Sequence, residues 1–158
     1  MTVYATAGAK LYIGGVKAQQ STDFIASDFS AEVWVEVEEV EGLGSVGDTS
    51  EAISFTSLGD SRTRTFKGPR SAGAMEVVMG IDPADAGQVA LIAAEKTKFD
   101  YAFRIVLNDA PQGGTPSERL FIAKVMSQAE QFDQANNIMK LNASLGVNSN
   151  IVRINAAA

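Results

Sequence analysis

The chain has 158 residues, with 46% hydrophobic, 8% aromatic and 20% charged positions, which suits a single domain with a sizeable core. Thirteen Lys and Arg against 19 Asp and Glu leave a net charge of −6, so the surface lacks the basic excess that grips nucleic acid through many phosphates. His and Cys are both absent, which excludes Ser-His-Asp and Cys-His catalysis, zinc fingers, His-ligated haem, iron–sulfur clusters and disulfides.

The opening Met1 to Lys10 has no positively charged n-region followed by an apolar stretch, and no window approaches the ~20 apolar residues of a spanning helix. The expectation is a soluble, intracellular chain that does not bind a membrane.

In chain order, Lys10 to Val16 reads as a short strand and Gln19 to Asp28 as a polar connector. From Ala31 to Glu41 the sequence alternates strictly. Val33, Val35 and Val37 fall on one face and Glu32, Trp34, Glu36 and Glu38 on the other, the period of a strand with one wet, acidic side. Gly42 to Ser50, with three glycines in its first six residues, reads as a loop. Glu51 to Ser57 alternates again with Ile53 and Phe55 on the expected buried face, and Arg62 to Phe66 extends or re-enters the sheet after a turn at Leu58 to Asp60. Gly73 to Gly80 reads as a strand.

One helix is expected at about 83–96. Asp82 is placed to cap it, Pro83 suits its first turn, and Ala86, Val89, Ile92 and Ala93 make a narrow apolar stripe. Three further strands follow: Phe99 to Leu107, Glu118 to Met126 and Asn137 to Val147, with Ile151 to Ile154 as a last short one. The fold class is mainly β: a sandwich or small barrel of about seven or eight strands in a single domain, 1–158, carrying one flanking helix.

No convincing catalytic or cofactor constellation emerges. Glu32, Glu36 and Glu38 spread along ~20 Å of extended chain and cannot converge on one metal or substrate, so they read as a solvated strand face or an acidic functional surface. Gly42-Leu43-Gly44 and Gly113-Gly114 lack the Gly-Lys-Ser/Thr of a phosphate loop. Charge is divided along the chain, with only acids from Glu32 to Glu51 and only bases from Ser61 to Arg70. The bases Arg62, Arg64, Lys67 and Arg70 read as an exposed strand or as contacts that pair across subunits and fix their register.

The run from Val40 to Glu95 resembles the major tail tube proteins of phages with long non-contractile tails. The resemblance lies in the order of its pieces: the glycine-rich stretch, Ile53 to Ser61, the step ending in Phe66-Lys67-Gly68, Gly73 to Met79, and Asp82 to Gln88 before a helix. It implies a β-sandwich with a flanking helix, six subunits closing into a ring whose inner strands join in one β-barrel, and rings stacked into a tube through which DNA passes. It also implies an arm at about 39–72 that reaches a neighbouring subunit or ring. The partners are then the chain itself, a tape measure, a tail terminator and a tail tip, with DNA only in transit, no cofactor, no metal and no catalysis, in a virion tail made in the host cytoplasm. On this reading Glu32, Glu36 and Glu38 face the lumen, where like charge keeps DNA from adhering, and Arg62, Arg64, Lys67, Arg70, Leu43 and Val46 are candidate contacts between subunits or rings. The competing reading is a stand-alone β-sandwich module binding a carbohydrate or a virion protein, with Trp34 and the loop from Asn108 to Pro116 as its platform.

Overall fold

A computed structural model describes residues 2–158. Its strands are β1 (Lys10–Val16), β2 (Val35–Val37), β3 (Val40–Gly42), β4 (Thr49–Thr56), β5 (Thr63–Ser71), β6 (Ala74–Gly80), β7 (Tyr101–Val106), β8 (Glu118–Gln131), β9 (Lys140–Val147) and β10 (Val152–Ile154), with one helix, α1 (Ala86–Glu95). Eight strands make one sheet in the order β2-β1-β7-β8-β9-β6-β3, with β10 paired on β8. The strands β4 and β5 form a separate two-stranded sheet. The mainly β class with a single helix is as expected.

The strands β2 and β3 stand at opposite edges of that sheet, yet only Glu38 and Glu39 separate them in sequence. Two residues span a few ångströms, so the sheet must roll until its edges meet at a corner. No ladder joins the two edges, which leaves a rolled sheet and not a closed barrel. Glu39 turns the corner with φ +60°.

Inside the roll lies the main core. Leu11 and Ile13 of β1, Phe103 of β7, Phe121 of β8, Leu141 and Leu145 of β9 and Met75 and Met79 of β6 are buried together, and Leu91 and Ala94 of α1 close over them. Strand alternation produces this: the inward residues of β9 are Leu141, Ala143, Leu145 and Val147, each two apart. The outer surface carries a second, smaller core of Phe24, Phe29, Ala102, Leu120, Ile122 and Val152, which half-buried Trp34 flanks.

Several expectations are corrected. The alternating run from Ala31 is not one strand: it contributes Val35–Val37 to one edge of the sheet and, after the corner, Val40 and Glu41 to the other. Val33 is 81% exposed, because the chain comes out of a 3-10 turn at Ala26–Phe29 that the polar connector conceals. The helix begins at Ala86, capped by Asp85, whose carboxylate accepts from the Gln88 N–H. Asp82 instead accepts from the Ala84 N–H one turn earlier. Its inward face is Gly87, Gln88, Leu91 and Ala94, with Val89 exposed, since a glycine and a glutamine hold places that an apolar pattern assigns elsewhere. Phe99 and Met139 lie outside their strands and are exposed. The strand β8 continues five residues past Met126. Its first half buries Leu120, Phe121, Ile122 and Ala123 in succession, so no alternation marks it.

Candidate assembly surfaces

Of the segment 39–72, the first part belongs to the body. The strand β3 pairs with β6, and Leu43 and Val46 pack half-buried against the main core. Gly44 adopts φ +65° beside the Glu76 backbone, where a Cβ would lie 2.5 Å from the Glu76 carbonyl oxygen, so this crossing requires glycine.

Beyond it the hairpin of β4 and β5 stands clear. Every residue of β4 is exposed, and on β5 only Gly68 is partly covered. The register sets Ile53 opposite Phe66 and Phe55 opposite Arg64, so one face carries three large apolar side chains, each about half exposed. Thr56 and Thr63 hydrogen-bond on the other face at 2.8 Å, and Leu58 at the turn is fully exposed. The alternation of Ile53 and Phe55 is therefore real, but the face they form is open to water and not buried. An isolated two-stranded hairpin is marginal in water.

The basic residues divide into two kinds. Arg64 pairs with Asp60 at 2.7 Å and Arg70 with Asp48 at 2.7 Å, both within the arm. Arg62 and Lys67 have no ion-pair partner among the described residues.

A second open feature is main-chain. In β8, residues 118–123 pair with β7 on one side and residues 123–131 with β9 on the other. From Met126 to Gln131 the side facing away from β9 has no strand beside it. Side-chain patterns carry no mark of such an edge, which is why the sequence does not reveal it.

The three acids are not one stripe. The Glu32 carboxylate accepts from the Gly15 N–H at 3.0 Å; Glu36, opposite Tyr12 on β1, stands 3.9 Å from Lys10; Glu38 is exposed at the corner, with its backbone N–H donating to Asp85 and its carbonyl accepting from Gln88. Trp34 stacks on Phe29 at 6.4 Å between ring centroids and lies over the Arg104 guanidinium, a packing role. The loop after β7 is braced: Asp109 accepts from the Ser117 N–H at 2.8 Å and hydroxyl at 2.6 Å, and Thr115 bridges to Ala157. Those two bonds hold the Asp109 carboxyl below its ordinary value of 3.8. Among the described residues no three acids gather as a metal site.

No protein-family model matches the sequence, and no curated protein does. Solved structures do. The chain superposes on the SPP1 tail tube with a TM-score of 0.60 at 14% identity, over 93% of this chain and 76% of that one. It has the tail tube fold. A chain of the PVC extracellular contractile injection system, sheath/tube terminator in its extended state, matches at TM-score 0.67 and 10% identity over 98% of both chains. A chain of the tail of the gene transfer agent particle, solved with C6 symmetry, matches at 0.58 and 13% over 91% and 95%. The tail tube fold thus spans nearly the whole chain and does not rest on the Val40 to Glu95 motifs alone.

Proposed function

We propose that this protein is a structural tail tube subunit that assembles with copies of itself into stacked hexameric rings, a conduit for DNA in a virion tail. The observation that carries the reading is the β4–β5 hairpin: an apolar face of Ile53, Phe55 and Phe66 with no cover from its own chain, on a domain with the tail tube fold. Exposed apolar surface of this kind marks an interaction site. The open edge of β8 supports the same reading, because an unpaired strand edge is a template for another chain, and a closed ring is the arrangement that leaves no edge over.

Arg62 and Lys67, without partners in the monomer, are the bases of the arm most available for contacts between subunits or rings, and Arg64 joins them by exchanging Asp60 for a neighbour's carboxylate. Glu38 is the acid best placed to reach a lumen, since Glu32 and Glu36 already serve the body's own contacts. A ring of six −6 chains repels DNA from its wall and lets it slide. Tape measure, terminator and tip proteins are the partners this role calls for.

Negative-stain electron microscopy of the purified protein tests the proposal. Tubes or six-fold rings are expected, and a monomer that persists at high concentration refutes it in favour of a stand-alone binding module. Arg62→Glu with Arg64→Glu is expected to stop tube elongation while the monomer stays folded.

A further inference from the structure

Where β10 pairs with β8, Arg153 lies directly opposite Arg119. Like charges opposed across two strands are destabilising, and among the described residues neither guanidinium has a carboxylate within ion-pair distance. Arg119 donates only to the neighbouring Glu118 carbonyl, at 2.9 Å. Asp109, whose charge it feels, spends both oxygens on Ser117. Burial and the nearby Arg153 both push the Arg119 guanidinium below its ordinary value. The pair thus holds positive charge that the fold itself leaves uncompensated.

Arg119 also forms part of the wall of a cavity of about 280 Å³ whose other lining includes Leu43, Val46, Met75, Ile105 and Leu107. Arg119 and Asp109 are the charged groups on that wall. With both Asp109 oxygens taken up by Ser117, Arg119 and the facing Arg153 leave an excess of positive charge beside the apolar lining, which suits a carboxylate followed by an apolar side chain. The open arm carries such a sequence. The strand β4 pairs with β5 alone; its single charge is Glu51, which has no ion partner, and Ile53 follows two residues later.

We propose that this cavity is the socket for β4 of a second copy, with the Glu51 carboxylate held by Arg119 and Arg153 and the Ile53 side chain filling the apolar part. The proposal rests on the self-assembly reading and gives it one specific contact. Glu130, also without an ion partner and followed by exposed Phe132, is the competing donor; its strand is already fixed against β9, whereas β4 is free to be seated.

Charge exchange in the full-length chain tests this. Glu51→Arg, and separately Arg119→Glu with Arg153→Glu, should each raise the concentration needed for assembly roughly tenfold or more, and the chain carrying all three changes should recover. Because the double change could disturb the fold, Arg153→Gln provides the second arm: removing one of two opposed charges should leave the melting temperature equal or higher while assembly weakens. Wild-type assembly by Glu51→Arg, no recovery in the triple variant, or recovery with Glu130→Arg in place of Glu51→Arg would each overturn the socket. Tubes from Glu51→Arg sink only the socket, while a wild type that stays monomeric sinks the assembly reading with it.

Discussion

The first turn of α1 lies directly on β2: Gly87 meets the Glu36 carbonyl, and a Cβ added there would lie 2.6 Å from the Val37 Cα. Backbone cannot yield as a flexible side chain does. On a free helix Gly→Ala gains about 1 kcal/mol; here the overlap should cost about 1–3 kcal/mol or more, the range for overpacking a tight site. Urea denaturation of Gly87→Ala is expected to show a lower midpoint with an unchanged slope. A stabilised variant would mean that the helix does not dock on this corner.

The same corner depends on Asp85 and Gln88. The Asp85 carboxylate accepts from the N–H groups of Gln88 and Glu38; the Gln88 amide donates to the Glu38 and Gly80 carbonyls and accepts from the Asp82 N–H. One side chain therefore ties the corner between the edge strands and the end of β6 to the helix. Gln88→Leu keeps much of the shape but orphans those backbone groups, each costing about 1–3 kcal/mol when buried, so a loss of several kcal/mol is expected in thermal or chemical unfolding. Asp85→Ala should cost about 1–2 kcal/mol as a lost cap.

How the fold is written in the chain explains what a reader of sequence recovers. The run Leu141, Ala143, Leu145, Val147 is inward at every second residue, and its period of two is visible because the other face of β9 is polar. The sheet's rolled shape is not visible, because it hangs on Gln88 and Asp85, polar residues buried for their hydrogen bonds, and on Gly87, chosen for having no side chain. Ile53 and Phe55 show the opposite failure. Their alternation is that of a half-buried strand, and it marks a face that its own chain leaves uncovered. Arg62 and Lys67 were legible as bases, but only the ion pairs of Arg64 and Arg70 distinguish which are engaged. Arg119 and Arg153, 34 positions apart, gave no sign of facing each other until β10 folded back on β8.

Ser117 sets the acid behaviour of the loop after β7. Its N–H and hydroxyl both donate to Asp109, and the hydroxyl oxygen accepts from the Ala156 N–H at 3.0 Å. A carboxyl lowered in the folded state contributes stability that is present above its unfolded value and lost as pH falls through the folded one. Ser117→Ala should raise the Asp109 value toward 3.8, and the stability gap between variant and wild type should be present at neutral pH and shrink as the solution is acidified below 3.8. A carboxyl-carbon NMR titration of Asp109 checks the shift. An unmoved midpoint would show that the side-chain bond is not its cause.

Stability and assembly should separate cleanly by position. Phe66, exposed on the arm, should tolerate Phe66→Ser with a change within about 0.5 kcal/mol in the monomer, as for surface sites generally, while tube formation fails. Phe103, fully buried and stacked on Phe121 at 5.8 Å between centroids, should lose about 3–5 kcal/mol on Phe103→Ala. Melting curves beside electron micrographs of the two variants measure both effects. Unimpaired tubes from Phe66→Ser would remove the arm's apolar face from the assembly.

The open edge of β8 gives a test that needs no mutation. Along Met126 to Gln131, successive N–H groups of a strand point to opposite sides, so about half of them are bonded to β9 and the rest face water. In the monomer those outward amides should exchange with solvent quickly, since no bond must break first, while the amides of Phe121 to Ala123, flanked by β7, should exchange slowly. If a neighbouring strand completes the sheet, assembly should slow the outward amides without altering those already paired. Hydrogen exchange read residue by residue in monomer and tube measures this. Protection appearing on the arm but not on 126–131 would assign the inter-subunit contact to the arm, and the strand edge would then lie open in the assembled tube.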